Sequence, residues 1–116
     1  MPTVTLATTV AAATTVANVF DGIRAAKIPN IPGARFECTY LSTAANAVDF
    51  TEEVFVGQAN PVELSQVSGA NRVPQSPEDI VTTFAANPGE EVTLRVSNAN
   101  VGALVHFSKL VVTRVA

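Results

Sequence analysis

The stretch that decides the fold is NPGEEVTLRVSN, residues 87–98, a turn that leads directly into a strand. Pro88 and Gly89 suit the central positions of a type II turn, because proline presets φ and glycine accepts a positive φ. Every second residue from Val92 to Val96 is apolar, which is the period of a half-buried strand. A second apolar run follows at 104–115, so this stretch predicts the closing strand pair of an antiparallel β-sandwich.

The strand predicted at 104–115 does not alternate cleanly. Lys109 has the same parity as four apolar residues, Val105, Phe107, Val111 and Val115, while Leu110 and Val112 have the other parity. Two interpretations remain open. Either a β-bulge near Ser108 and Lys109 changes the face, or the strand is covered on both sides.

Short apolar segments separated by turn signals occupy the rest of the chain. Residues 2–16 are rich in threonine, valine and alanine, which favours an extended arm or a first strand. Further strands are predicted at 17–20, 23–28, 34–41, 48–56, 62–64 and 80–86. The pattern predicts an all-β fold, an antiparallel, jelly-roll-like β-sandwich, with an N-terminal extended arm at 1–16 and a single sandwich domain at 17–116.

Composition limits the classes of function. A chain of 116 residues corresponds to one domain, and its net charge of −3 includes no basic stripe that would bind nucleic acid or an anionic membrane. Charged residues make up 15% of the chain, against about 25% in ordinary globular domains. The first basic residue is Arg24, so no signal peptide is predicted. A surface poor in charge suits a protein that packs against neighbours.

Cys38 and His106 are the residues with the most reactive side chains. Cys38 is the single cysteine and has the parity of Phe36 and Tyr40, which predicts a buried, inert thiol. His106 lies inside the last predicted strand. A role as base or metal ligand would require carboxylate or thiol partners from other strands, so a hydrogen-bonded or surface histidine is the favoured interpretation.

Three acidic pairs, Glu52-Glu53, Glu78-Asp79 and Glu90-Glu91, raise the possibility of paired carboxylates. Neighbours on a strand point to opposite faces, so one pair cannot line one site without a turn. They are predicted to be solvated turn charges, although Glu52 has the parity of Val54 and Val56. No catalytic, cofactor-binding or metal-binding residue is predicted, and no enzymatic activity.

A carbohydrate-binding module is the alternative for a β-sandwich. Such modules usually present aromatic platforms, and this chain has no tryptophan and one tyrosine. Tyr40 is predicted to lie in the core, and a hydrophobic core accounts for the six phenylalanines.

The layout of the chain resembles that of the small capsid decoration, or cement, proteins of tailed bacteriophages. The resemblance is carried by the arm at 2–16, the strand and turn at 19–22, the proline-containing loop at 73–79, the turn at 88–90 and the closing strands at 92–96 and 107–115. It implies a small β-rich protein of the virion, made in the host cytoplasm, that forms dimers or trimers on the capsid surface and staples neighbouring major capsid subunits. Tail tube subunits and coat proteins share this composition and remain alternatives.

A staple of this kind needs an arm that can add a strand to a neighbour. We therefore expect residues 2–16 to become ordered only against another subunit. The predicted interface residues are Thr3, Val4, Thr5, Leu6, Arg72, Val73, Pro74, Arg95 and Arg114. The arginines are included because a guanidinium pairs well with carboxylates at interfaces. No cofactor, nucleic acid or membrane is expected as a partner.

Overall fold

The computed structural model describes residues 3–22, 26–44, 49–57, 62–64, 74 and 79–116. These residues contain eight strands: β1 Thr3–Val10, β2 Thr14–Val16, β3 Phe36–Ala44, β4 Phe50–Val56, β5 Val62–Leu64, β6 Ile80–Ala86, β7 Val92–Asn98 and β8 Leu104–Arg114. They form two antiparallel sheets that pack as a sandwich, so the all-β sandwich predicted from the sequence is confirmed.

The first sheet has the strand order β1-β8-β3-β6, and the second sheet has the order β2-β7-β4-β5. The pairing is nested: β1 pairs with β8, β2 with β7, β3 with β6 and β4 with β5. Successive pairs alternate between the two sheets, so the chain crosses the sandwich repeatedly. Both halves of the sequence therefore contribute to both layers.

The N-terminal segment is extended, as predicted, and it belongs to the sandwich. β1 pairs with β8 without a register shift from Thr3 opposite Val111 to Val10 opposite Leu104. A turn with Ala13 at a φ of 48° leads into β2, which pairs with β7 in the second sheet. The expectation that this segment orders only against another subunit is wrong for residues 3–10 and 14–16, because β8 and β7 of the same chain supply their partners. The division of the chain at residue 16 stays a prediction.

The strand predicted at 17–20 is wrong. Asn18 holds this segment as a turn, because its Oδ1 accepts hydrogen bonds from the backbone N–H of Phe20 at 3.0 Å and of Leu94 at 3.1 Å. Of the strand predicted at 23–28, residues 26–28 are described, and they form a single bridge between Lys27 and Glu91. Contact with β7 is made by single hydrogen bonds in place of a ladder: the Asn18 side chain and the backbone N–H of Val19 both bond to Leu94.

The irregular alternation of β8 does not come from a bulge. Its register runs without a shift against both β1 and β3. The even-numbered residues 106–112 are buried and face the core, while the odd-numbered residues 107–111 are half-buried on the outer face. β8 is thus covered in part on its outer side as well. The neighbouring outer positions Leu41 and Thr43 are buried.

The core lies between the sheets and draws on both. Phe36, Cys38 and Tyr40 of β3 are buried on one face, as the sequence predicted. Side chains of β4 and β7, including Val54 and Leu94, face them from the second sheet. This packing brings inward-pointing polar residues of β3, β4 and β8 into the same layer.

Candidate functional site: a polar cluster between the sheets

Four polar side chains meet in the middle of the core. Tyr40 and Ser42 lie two residues apart on β3, His106 lies on β8, and Glu52 reaches them from β4 of the opposite sheet. All four have a relative exposure of 0%. We call Tyr40, Ser42, Glu52 and His106 the interior cluster.

Glu52 is the centre of the interior cluster. The Tyr40 hydroxyl donates a hydrogen bond to Oε2 of Glu52, and Nε2 of His106 lies 2.8 Å from the same oxygen. Ser42 Oγ donates to Oε1 at 2.8 Å. A carboxylate accepts hydrogen bonds and donates none, so these three donors satisfy most of its capacity. The charge is therefore solvated by protein groups in place of water.

The electrostatic setting keeps Tyr40 neutral. Burial raises the pKa of its hydroxyl well above the usual 10.0, and the negative charge of Glu52 raises it further. Burial also raises the pKa of the Cys38 thiol to about 11, with smaller contributions from the charges of Glu37 and Glu90. Tyr40 thus acts as a hydrogen-bond donor to Glu52, and Cys38 stays a protonated thiol in the core, as the sequence predicted.

The two ring nitrogens of His106 differ, because Nε2 is hydrogen-bonded to Glu52 and Nδ1 is not. Within the described part of the chain, Nδ1 of His106 and Oγ of Ser108 have no hydrogen-bond partner. The ring of Phe50 packs against the imidazole with centroids 5.1 Å apart and a tilt of 49°. One edge of the histidine is therefore polar and paired, while its face is in apolar contact.

The side chains of the interior cluster form hydrogen bonds with one another. A carboxylate, an imidazole and two hydroxyls are the groups of many general-base sites, yet both hydroxyls bond to Glu52 and not to His106. Every member is closed to solvent in this structure. What the arrangement does is tie β4 of one sheet to β3 and β8 of the other by charged hydrogen bonds, which are stronger than neutral ones.

Two sequence-based interpretations need correction here. Glu52 was predicted to be a solvated turn charge, but it is buried within β4, and Asp79 is buried as well. Glu53 also lies within β4 and not in a turn, but it points to the other face, where its side chain is partly exposed to solvent and its Oε1 lies 3.9 Å from a guanidinium nitrogen of Arg95. The signal for Glu52 was its parity with the apolar Phe50 and Val54, which are both core residues.

His106 has the hydrogen-bonded role that the sequence favoured. The carboxylate that meets His106 comes from Glu52 on β4, in the other sheet. The sequence could not show this contact, because it depends on how the chain crosses between the sheets. Glu90, from another acidic pair, is half-buried, and its Oε1 accepts a hydrogen bond from the backbone N–H of Asn87 at 2.6 Å. It therefore closes the turn that precedes β7.

The predicted interface residues that the structure describes lie at separate places in the fold. Thr3, Val4, Thr5 and Leu6 all lie on β1, where Thr3 and Thr5 are exposed and Leu6 is half-buried. Arg95 and Arg114 are exposed but lie in different sheets, on β7 and β8. Pro74 is buried, and Arg72 and Val73 lie outside the described residues. Their role at an interface stays a prediction.

The two sheets differ at their edges. The first sheet ends in β1, TVTLATTV, and β6, IVTTFAA, neither of which contains a charged residue or a proline. The second sheet ends in β2 and β5, which are each 3 residues long. The outer face of the first sheet also exposes apolar area, at Ile80 and Val105. Among the strands that the structure describes, the first sheet is thus the one that ends in long edges available to a partner.

Comparisons with known proteins add no family to this description. A scan against protein-family models, a search of curated proteins and a search of solved structures find no match to this chain. Within the described ranges, no helix is long and apolar enough to cross a membrane. The same residues contain no group of three histidine, cysteine or acidic side chains that could hold a metal ion.

Proposed function

We propose that this chain is a structural virion protein that decorates and staples a phage capsid by binding major capsid subunits and copies of itself. The observation that carries the proposal is the pair of long, uncharged, proline-free edges of the first sheet, β1 and β6. Natural proteins usually protect such edges with charges, prolines or very short strands, because an open edge pairs with other chains. Edges that are long and contain neither charges nor prolines suit a subunit whose edges are covered in an assembly.

The topology supports the same proposal. The nested pairing of β1–β4 with β8–β5 is the wrapping expected of a jelly roll, in which one long hairpin is rolled so that its pairs alternate between two sheets. Jelly rolls occur in viral capsid and lectin domains. Tyr40, the single tyrosine, is buried, so it offers no aromatic platform for a sugar. That observation favours the virion role over the lectin role.

The surface composition also fits a subunit that binds over large areas. Charged residues make up 15% of the chain, and the exposed positions of β1 are threonine and alanine. Burying small neutral side chains avoids the cost of removing charges from water. An interface on this surface therefore requires few compensating ion pairs.

The test is to add the purified chain to empty capsids of the phage that encodes it. We expect saturable co-sedimentation and capsids that disrupt at a higher temperature when the chain is bound. The same preparation is applied to a glycan array to test the alternative function, carbohydrate binding. Glycan binding together with no capsid binding would contradict the proposal.

A further inference from the structure

The two long edges of the first sheet are not equivalent. β1 pairs with β8 in one unbroken register over all its residues. β6 pairs with β3 through a register shift between Tyr40 and Leu41. Such irregularities bend a strand and increase its twist, and they are one way in which edges are protected. β1 is therefore the edge whose regular geometry allows another strand to pair along its whole length.

The geometry points to β1 as a self-association surface, on which β1 of a second copy pairs antiparallel about a two-fold axis at Leu6. A second copy is the partner that this edge fits, because a two-fold axis at Leu6 places Leu6 opposite Leu6 and Thr3 opposite Thr9, so that apolar meets apolar and threonine meets threonine. No charge on β1 would face a like charge. Such an interface is closed, so it gives a dimer and not an open chain of subunits.

The register follows from the two faces of β1. Thr3, Thr5, Ala7 and Thr9 are exposed, while Leu6 and Thr8 are half-buried on the core side. Pairing that keeps exposed residues on one face must place even numbers opposite even and odd opposite odd. With Leu6 on the axis, Thr3 lies opposite the partner's Thr9, and threonine pairs across strands are favourable.

The position of Leu6 selects this register over the one centred on Ala7. Leu6 is packed against the core but keeps part of its side chain in solvent. On the axis it would meet its own counterpart, and the remaining apolar area would be covered. The inference rests on the proposed function for its setting in an assembly, but its test requires no capsid.

The first experiment is analytical ultracentrifugation of the purified chain and of two matched variants. Ala7→Lys places a charge on the exposed face of β1, and Ala85→Lys places the same charge on an exposed position of β6. We expect a dimer for the original chain, roughly ten-fold weaker association for Ala7→Lys because like charges meet near the axis, and no change for Ala85→Lys. Circular dichroism confirms that both variants fold.

The second experiment tests the register by charge rescue. With the axis at Leu6, residue 7 lies opposite residue 5 of the partner, so mixing Ala7→Lys with Thr5→Glu should restore dimers. With the axis at Ala7, mixing Ala7→Lys with Ala7→Glu should be the better rescue. That second result would overturn the register.

Other results would contradict the inference that β1 is the self-association surface. These are a monomer at all concentrations, loss of association in Ala85→Lys but not in Ala7→Lys, or species that grow without limit through β1–β6 pairing. A dimer that depends on β1 yet ignores capsids would instead contradict the proposed function and leave this inference standing. The two proposals can therefore fail separately.

Discussion

At the scale of single residues, adjacent acids on β4 have opposite surroundings. Glu52 is buried and receives hydrogen bonds from Tyr40, Ser42 and His106, whereas Glu53 is partly solvated and lies 3.9 Å from Arg95. When a buried carboxylate is replaced by an amide, one of its oxygens becomes an NH2 group, so the donors directed at that oxygen lose their acceptor, which is costly. A solvent-exposed ion pair contributes little. The two residues form a natural matched pair for mutation.

We predict that Glu52→Gln lowers the free energy of unfolding by about 3 kcal/mol, because it breaks a buried charged network. The matched variant Glu53→Gln should change it by less than about 0.5 kcal/mol. Urea unfolding followed by circular dichroism measures both. Equal effects of the two substitutions would show that Glu52 is not the centre of a stabilising cluster.

Tyr40 gives a prediction for alkaline pH. Its pKa in the folded chain lies well above the usual 10.0, so above pH 10 the unfolded chain releases this proton while the folded chain keeps it. The unfolded state then binds fewer protons, and stability falls as pH rises, by up to about 1.4 kcal/mol per pH unit for this group. Below pH 10 the contribution is fully present.

The measurement compares the original chain with Tyr40→Phe across this pH range. The variant should lack this part of the pH dependence, and it should be less stable at neutral pH by about 1 kcal/mol, because Glu52 loses one donor. Other ionisable groups cancel in the difference between the two chains. Parallel stability curves above pH 10 would contradict the prediction.

At the scale of elements, Asn98 fastens the end of β7 to its neighbours. Its Nδ2 donates to the carbonyl oxygens of Val10 at 3.1 Å and Gly102 at 3.2 Å, and its Oδ1 accepts from the N–H of Asn100 at 2.9 Å. The residue is 2% exposed. One side chain therefore closes the corner between β1 and β2 and the turn between β7 and β8.

We predict that Asn98→Ala destabilises the fold by roughly 2 kcal/mol, because buried carbonyl groups lose their donors. Asn87→Ala, at an exposed position, serves as the matched control and should have an effect below about 0.5 kcal/mol. Thermal unfolding of both variants measures the difference. A neutral Asn98→Ala would mean that the corner is held by backbone contacts alone.

Elements also show where sequence patterns suffice and where they do not. The alternation of β7 and the turn at Pro88-Gly89 predicted their structures, since both depend on local preferences; Gly89 has a φ of 80°. The segment at 17–20 has strand composition but turns, because Asn18 finds the N–H of Leu94, distant in sequence. No local pattern contains that partner.

At the scale of the whole molecule, the sandwich is one cooperative unit. β1 pairs with β8 and β2 with β7, so the beginning and the end of the described chain depend on each other. The interior cluster adds direct bonds between the sheets. Neither sheet can bury its inner face alone, so we expect one unfolding transition.

Tyrosine fluorescence provides the test, because Tyr40 is the single tyrosine and the chain has no tryptophan. We predict that fluorescence, which reports the interior cluster, and far-ultraviolet circular dichroism, which reports the strands, give the same urea midpoint. Both signals are recorded on the same sample, so the two midpoints can be compared directly. Two separate midpoints would show that the cluster opens before the sheets separate.

The sequence by itself determined most of the strands of this protein and the faces of several of them. Alternation and turn residues depend on neighbours within a few positions, so they predict the β-sandwich, the buried Cys38 and Tyr40, and the strand from Val92 to Asn98. The tertiary structure alone decided which polar residues meet. Oε2 of Glu52 and Nε2 of His106 lie 2.8 Å apart because nested pairing carries the chain from one sheet to the other. A buried charge is stable only where distant strands supply its donors, and the sequence does not contain that geometry.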